Sequence, residues 1–293
     1  MSRIHRAIRR AEREKAPEAV SRIEFNRNSF DAEYIIKKSK QRIQSEGPVV
    51  HEFEDRSAAE PILEAEPAEL VDLKLARGSK IVTLSEPTSL ASRQFHLLKD
   101  KLREIRQGRI LRTISITSVS ALEGKTLTAV NLALTLAREI DQKVLLVDAN
   151  LKNPVLDSLL GLANSKGLAD MLAGEVSSSE VILRTRISNF YVLPSGEVKE
   201  DFKTLLNSEA LKDFFVYVKE QFDWVILDSP SMTPFAEVDL LTSLADGVLV
   251  VVRASRTPTL LISKCIQPLK KRNFLGFVFN GARVPSKSAR EYW

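Results

Sequence analysis

The chain has 293 residues, 44% of them hydrophobic and 28% charged, with 43 Lys and Arg against 38 Asp and Glu for a net charge of +5. That is enough apolar sequence for one substantial core with extra segments, while no apolar run reaches membrane-spanning length and the charged N-terminus is not signal-like, so a cytoplasmic protein is expected. A single cysteine, Cys265, excludes a disulfide framework and a four-cysteine cluster, and His5, His51 and His96 are scattered without ligand spacing, so no structural metal is expected.

The charge is unevenly placed. Residues 1–45 are basic by roughly six charges and residues 46–75 are acidic by roughly seven. Ser2 to Lys15 (SRIHRAIRRAEREK) sets Ile4, Ala7, Ile8 and Ala11 on one face, which predicts a short amphipathic helix suited to docking. Its narrow apolar face argues against membrane insertion. Its basic residues alternate with Glu, so it reads as a solvated helix and no nucleic-acid partner is expected. Residues 46–80 are acidic, rich in Pro and Ala and poor in aromatics, the composition of a disordered linker.

From about residue 88 the pattern changes. A helix is predicted over Ser89–Gln107. Strands then alternate with helices: strands over 113–119, 143–149, 190–195, 224–229, 247–254 and 275–280, with helices after the first, around 154–173, near 203–221, after 229 and near 258–271. Several strands are continuous apolar runs. Such strands are buried on both faces, which predicts an α/β fold with a mostly parallel sheet covered by helices on both sides. Ligands in such folds sit at the carboxyl ends of strands, here just after Val119, Val147, Leu227 and Phe279.

Three of those strand ends carry suggestive residues. The first leads into Ala121-Leu122-Glu123-Gly124-Lys125-Thr126-Leu127. Its Gly-Lys-Thr ending is that of a phosphate-binding loop, although the strict pattern places a glycine where Val119 stands. A lone GKT also fits a simple helix cap. The context is strand, turn, helix, which is what a loop that presents backbone N–H groups to phosphate requires. The second strand ends in Asp148-Ala149-Asn150, and the fourth in Asp228-Ser229-Pro230. An apolar strand closed by Asp is the form that orients magnesium beside nucleotide phosphates. One such Asp is weak evidence; two, with the loop, point to a site for a nucleotide's phosphates and Mg2+. Lys125, Asp148 and Asp228 are then the catalytic candidates, and Thr126, Asp148 and Asp228 the magnesium candidates.

The order TSVSALEGKT, VLLVDANLKNP, GLADMLAGE, YVLPSGE, FDWVILDSPS and ADGVLVVVRASRTP resembles the bacterial tyrosine kinases of capsule and exopolysaccharide export, from Ser89 to Asn280. The opening MSRIHRAIRRAEREK is similar to the front of stand-alone members. The resemblance implies a Rossmann-like P-loop domain that hydrolyses ATP and transfers phosphate to tyrosine. Charge, composition and the resemblance together give an expected layout of basic helical extension (1–45), linker (46–80), kinase domain (85–285) and tail (286–293). Lys125 and Thr126 match the Walker A pair, Asp148 the first aspartate of the extra Walker A′ motif, and Asp228 Walker B. Asn280 falls where related ATPases contact adenine. Tyr292 is the tail tyrosine available as phosphoacceptor. The implied activator is the cytoplasmic tail of a membrane polysaccharide co-polymerase, which would recruit the chain to the inner face of the plasma membrane; homo-oligomerisation is left open.

The sequence also departs from that pattern. The family prefers Pro where Ala121 stands and often Gly where Leu122 stands, and leucine resists the positive φ such a loop demands. Asn150 replaces a second aspartate, and an amide cannot serve as a base. The helix that forms ring contacts in relatives carries Arg93, His96 and Lys99 where an acidic residue and two arginines are usual, which reads as a plain surface helix. An alternative function stays open, that of a nucleotide-sensing regulator of the same machinery without efficient transfer. Partitioning ATPases carry a signature lysine at the position of Ser120, which argues against that class.

Overall fold

The computed structural model describes residues 70–75, 78–162, 166–199, 202–233, 238–269 and 273–282. The expected helix at Ser2–Lys15, most of the expected linker, and Tyr292 lie outside the described residues.

The described residues form a seven-stranded sheet: β1 (Thr113–Ser118), β2 (Val144–Asp148), β3 (Leu183–Arg184), β4 (Phe190–Leu193), β5 (Trp224–Ser231), β6 (Gly247–Arg253) and β7 (Phe274–Asn280). Their order is β3-β4-β2-β5-β1-β6-β7. All neighbours pair in parallel except β3, which runs antiparallel to β4 at one edge. The helices are α1 (Val82–Ser85), α2 (Leu90–Gly108), α3 (Lys125–Ala137), α4 (Leu156–Leu160), α5 (Leu168–Leu172), α6 (Ser178–Val181), α7 (Phe202–Leu206), α8 (Glu209–Gln221), α9 (Val238–Leu244) and α10 (Thr259–Leu269).

The continuous apolar strands do what their pattern predicts. Val144 and Leu146 pack with α2 and α3 on one face, while Leu145 and Val147 pack with α5 and α8 on the other. A third cluster under α10 joins Val119, Val248 and Val250 to the buried Cys265. Because β1 lies between β5 and β6 while the chain leaves it for β2, the strand order reverses at the end of β1. A crevice opens at such a point, and the loop between β1 and α3 occupies it.

Besides the unpredicted edge strand β3, the structure differs from the sequence expectations in four places. The segment read as linker joins the domain earlier than residue 85: Val71 N–H donates to Arg184 at 2.9 Å, Arg186 N–H donates back to Val71 at 3.2 Å, and Lys74 N–H reaches the Leu160 carbonyl at 2.8 Å. Val71, Leu73 and Leu75 alternate along this strap and pack on the core, a period-two signal hidden by the acidic residues around it. The helix expected near 203–221 is broken into α7 and α8, because the Ser208 hydroxyl caps α8 by accepting from Leu211 N–H at 3.3 Å. Strand β5 continues past Asp228 to Ser231, bonding to β1 through an irregular register between Ile116 and Ser118. Finally, α2 is not a plain surface helix at Lys99. That side chain is mostly buried against the Glu139 carboxylate beyond α3, which also takes Arg103 at 2.8 Å.

Candidate functional site

Three strand ends converge on the N-terminus of α3. Ahead of it, Leu122 has φ +62° and Gly124 φ +94°. Only glycine holds φ +94° without strain, and a Cβ there would stand 2.0 Å from Asn280 Nδ2. Leu122 does adopt the left-handed conformation that leucine resists, and its side chain is 98% exposed, so it contributes no packing to offset the strain. Thr128 closes the first turn, its hydroxyl donating to the Gly124 carbonyl at 2.9 Å.

Lys125 and Thr126 fold back onto β5. The Thr126 hydroxyl donates to Asp228 Oδ2 at 2.6 Å, and Lys125 Nζ lies 3.5 Å from Asp228 Oδ1. On the adjacent strand Asp148 pairs in register with Asp228. Asp148 accepts from the N–H groups of Asn150 at 3.1 Å and Leu156 at 3.2 Å. Both aspartates are fully buried. Burial pushes the Asp228 carboxyl up to about 7, with the Lys125 cation opposing and the Asp148 charge adding to the rise. Burial likewise raises Asp148, against the N–H bonds it accepts and the Lys125 charge.

The site thus holds two carboxylates with one lysine to balance them, plus a hydroxyl, all hard oxygen donors in one crevice. That donor set fits a small divalent cation, whose charge would offset the cost of burying both carboxylates. Thr126, Asp148 and Asp228 are the groups that could hold it.

The remaining candidates take different places. Ala121 is exposed on the loop and Leu127 lies inside α3. Asn280 donates from Nδ2 to the Glu123 carbonyl at 2.8 Å, so this amide braces the loop from the end of β7. Glu123 turns its carboxylate inward, with only 4% of the residue exposed. Asn150 spends its amide on its own turn, Nδ2 donating to the Asn153 carbonyl at 2.5 Å.

A family described as an AAA domain matches residues 111–271, more than half of the chain. Tyrosine-protein kinase CpsD of Streptococcus pneumoniae serotype 4 is 33% identical over 176 residues, covering 58% of this chain and 76% of that protein. The chain belongs to the bacterial tyrosine kinases. Tyrosine-protein kinase YwqD of Bacillus subtilis is 29% identical over 227 residues, 75% of this chain and 95% of that one. Among solved structures, the chimerical protein CapA2B2 superposes with a TM-score of 0.67 over 73% of this chain and 95% of its own, at 23% identity, a likeness of fold.

The P-loop ATPase-like fold of this bacterial tyrosine kinase implies nucleotide binding. No helix among the described residues is long and apolar enough to cross a membrane. Two neighbours of the site were not legible in the sequence. Asp157, early in α4, lies near enough to Asp148 that burial and that charge raise its carboxyl to about 6. Thr257, after β6, bonds to Glu123. No motif marks either; both are brought in by the packing of loops that follow different strands.

Proposed function

We propose that this bacterial tyrosine kinase uses ATP and magnesium to phosphorylate tyrosine, on its own tail at Tyr292, in the control of capsule or exopolysaccharide synthesis. The observation that carries this reading is the junction of Lys125, Thr126 and Asp228 at the N-terminus of α3, beside the in-register Asp148.

Phosphoryl transfer needs little covalent help from the protein; it needs positioning and charge stabilisation. The backbone N–H groups entering α3 face the phosphates, and the helix dipole favours the anion. Lys125 supplies a cation to the transferring group. Thr126 and Asp228 would hold magnesium, which would supply neutralisation of phosphate charge. Asp148 accepts the tyrosine proton as the phenolic oxygen bonds to phosphorus and the bond to ADP breaks. The cytoplasmic tail of a membrane polysaccharide co-polymerase is the activator this reading implies, which would bring the chain to the membrane face.

Asn150 favours a second reading, slow transfer in a chain that chiefly senses nucleotide, because its amide is engaged in its own turn and supplies no carboxylate. Incubation with magnesium and γ-labelled ATP, with and without the activator's tail, separates the two. The kinase reading expects phosphotyrosine by mass spectrometry; ATP binding without label in either condition supports the sensor.

A further inference from the structure

Glu123 is a carboxylate with no part in the chemistry above, yet it lies within the phosphate loop and is almost wholly buried. Both of its oxygens are occupied. Oε2 accepts from the Ser120 N–H at 3.1 Å, within the loop itself, and Oε1 accepts from the Thr257 hydroxyl, 134 residues along the chain. Thr257 is fixed in turn: its Oγ1 accepts from Arg253 N–H at 3.1 Å, at the end of β6. The Glu123 carbonyl is held from a third direction by Asn280 at the end of β7, and Asn280 accepts from Ala254 N–H at 3.0 Å. The loop is therefore tied to the ends of two strands through one residue.

We infer that Glu123 and Thr257 form a latch, positioning rather than catalytic, that holds the strained phosphate loop in its binding geometry before nucleotide arrives. The inference rests on the nucleotide reading of the loop. Its physical need is set by Leu122. A non-glycine residue at φ +62°, with an exposed side chain that packs on nothing, persists only where the surroundings over-determine it. The latch supplies that constraint on the next residue in the chain. Without it the loop samples relaxed conformations in which its N–H groups no longer converge, and affinity falls by the fraction of competent loop.

The test uses the full chain with Thr257→Val, which keeps shape and loses the hydroxyl, and Thr257→Ser, which keeps the hydroxyl. In the nucleotide-free protein, hydrogen exchange at the amides of residues 120–126 should quicken about 10-fold in Thr257→Val and stay near wild type in Thr257→Ser. Calorimetry should show magnesium-ATP and magnesium-tripolyphosphate weakened by the same factor, again about 10-fold. Adding Leu122→Gly to Thr257→Val should recover most of the loss, because glycine needs no latch. Should Thr257→Val fail to fold, Glu123→Gln, read by the same exchange, takes its place. Unchanged exchange in the folded variant overturns the latch. So does weakened ATP with unchanged tripolyphosphate, which would make Thr257 a contact to the nucleoside. If wild type binds neither ligand, the nucleotide reading fails, while exchange at the loop still decides the latch.

Discussion

Asp148 and Asp228 stand opposite one another on adjacent parallel strands, both fully buried, with the Lys125 ammonium 3.5 Å from Asp228. A protein that kept these carboxylates only for stability would be poorly built, since burying charge without full pairing is costly. The donor set fits a divalent cation and a phosphate chain.

The first prediction concerns pH. The Asp228 carboxyl is raised from 3.8 to about 7 in the folded state. Between those values the folded protein binds a proton that the unfolded chain has released, so the nucleotide-free protein should lose stability as pH rises through that window. Glu139, held below its ordinary range chiefly by the bond from Lys99, has the opposite sign, but its contribution is lost only as pH falls below about 4.5. Asp228→Asn should flatten the slope and raise the melting temperature above pH 7 by roughly 5 °C. Melting curves across the window decide it; the same slope in wild type and variant would contradict it.

The second concerns Asn150. Aspartate there cannot donate to the Asn153 carbonyl and adds a further carboxylate beside Asp148. Asn150→Asp should cost the nucleotide-free protein about 1–2 kcal/mol and strengthen magnesium-dependent nucleotide binding several-fold. Denaturant midpoints and calorimetry measure both. A variant as stable as wild type, with unchanged magnesium dependence, would show that position 150 is remote from the cation.

The third concerns the strap. Gly161 has φ +69°, and a Cβ there would stand 2.2 Å from the Lys74 carbonyl. Gly161→Ala should lose about 2–4 kcal/mol. Gly174→Ala is the control, since Gly174 has φ +77° with nothing within 4 Å of its Cβ position; it should lose about 1 kcal/mol. Equal losses would mean the strap does not rest on Gly161.

The sheet was legible in the sequence because parallel strands buried on both faces leave unbroken apolar runs, and Val144–Val147 is such a run. Lys125 and Thr126 were legible because a loop motif is local. What could not be read was set by contacts between distant segments. The two-residue edge strand Leu183–Arg184 has no periodicity to detect, and it exists through its pairing with β4. The strap at Val71–Leu75 was masked by an acidic neighbourhood whose average composition speaks for a linker. Lys99 looked like a surface charge until folding placed Glu139 against it. Glu123 read as one more residue of the loop, and nothing in the sequence ties it to Thr257.

Lys125, Thr126, Asp148 and Asp228 are proposed to transfer phosphate from ATP to tyrosine. The most direct measurement is incubation of the purified full chain with magnesium and γ-labelled ATP, beside Lys125→Ala, read by phosphotyrosine mass spectrometry in the presence of the activator's tail. Label is expected at Tyr292 in wild type, and at least about 100-fold less in Lys125→Ala, the scale expected when a charge-stabilising group is removed. Equal labelling of wild type and Lys125→Ala, or no phosphotyrosine in either while ATP binds, would contradict it.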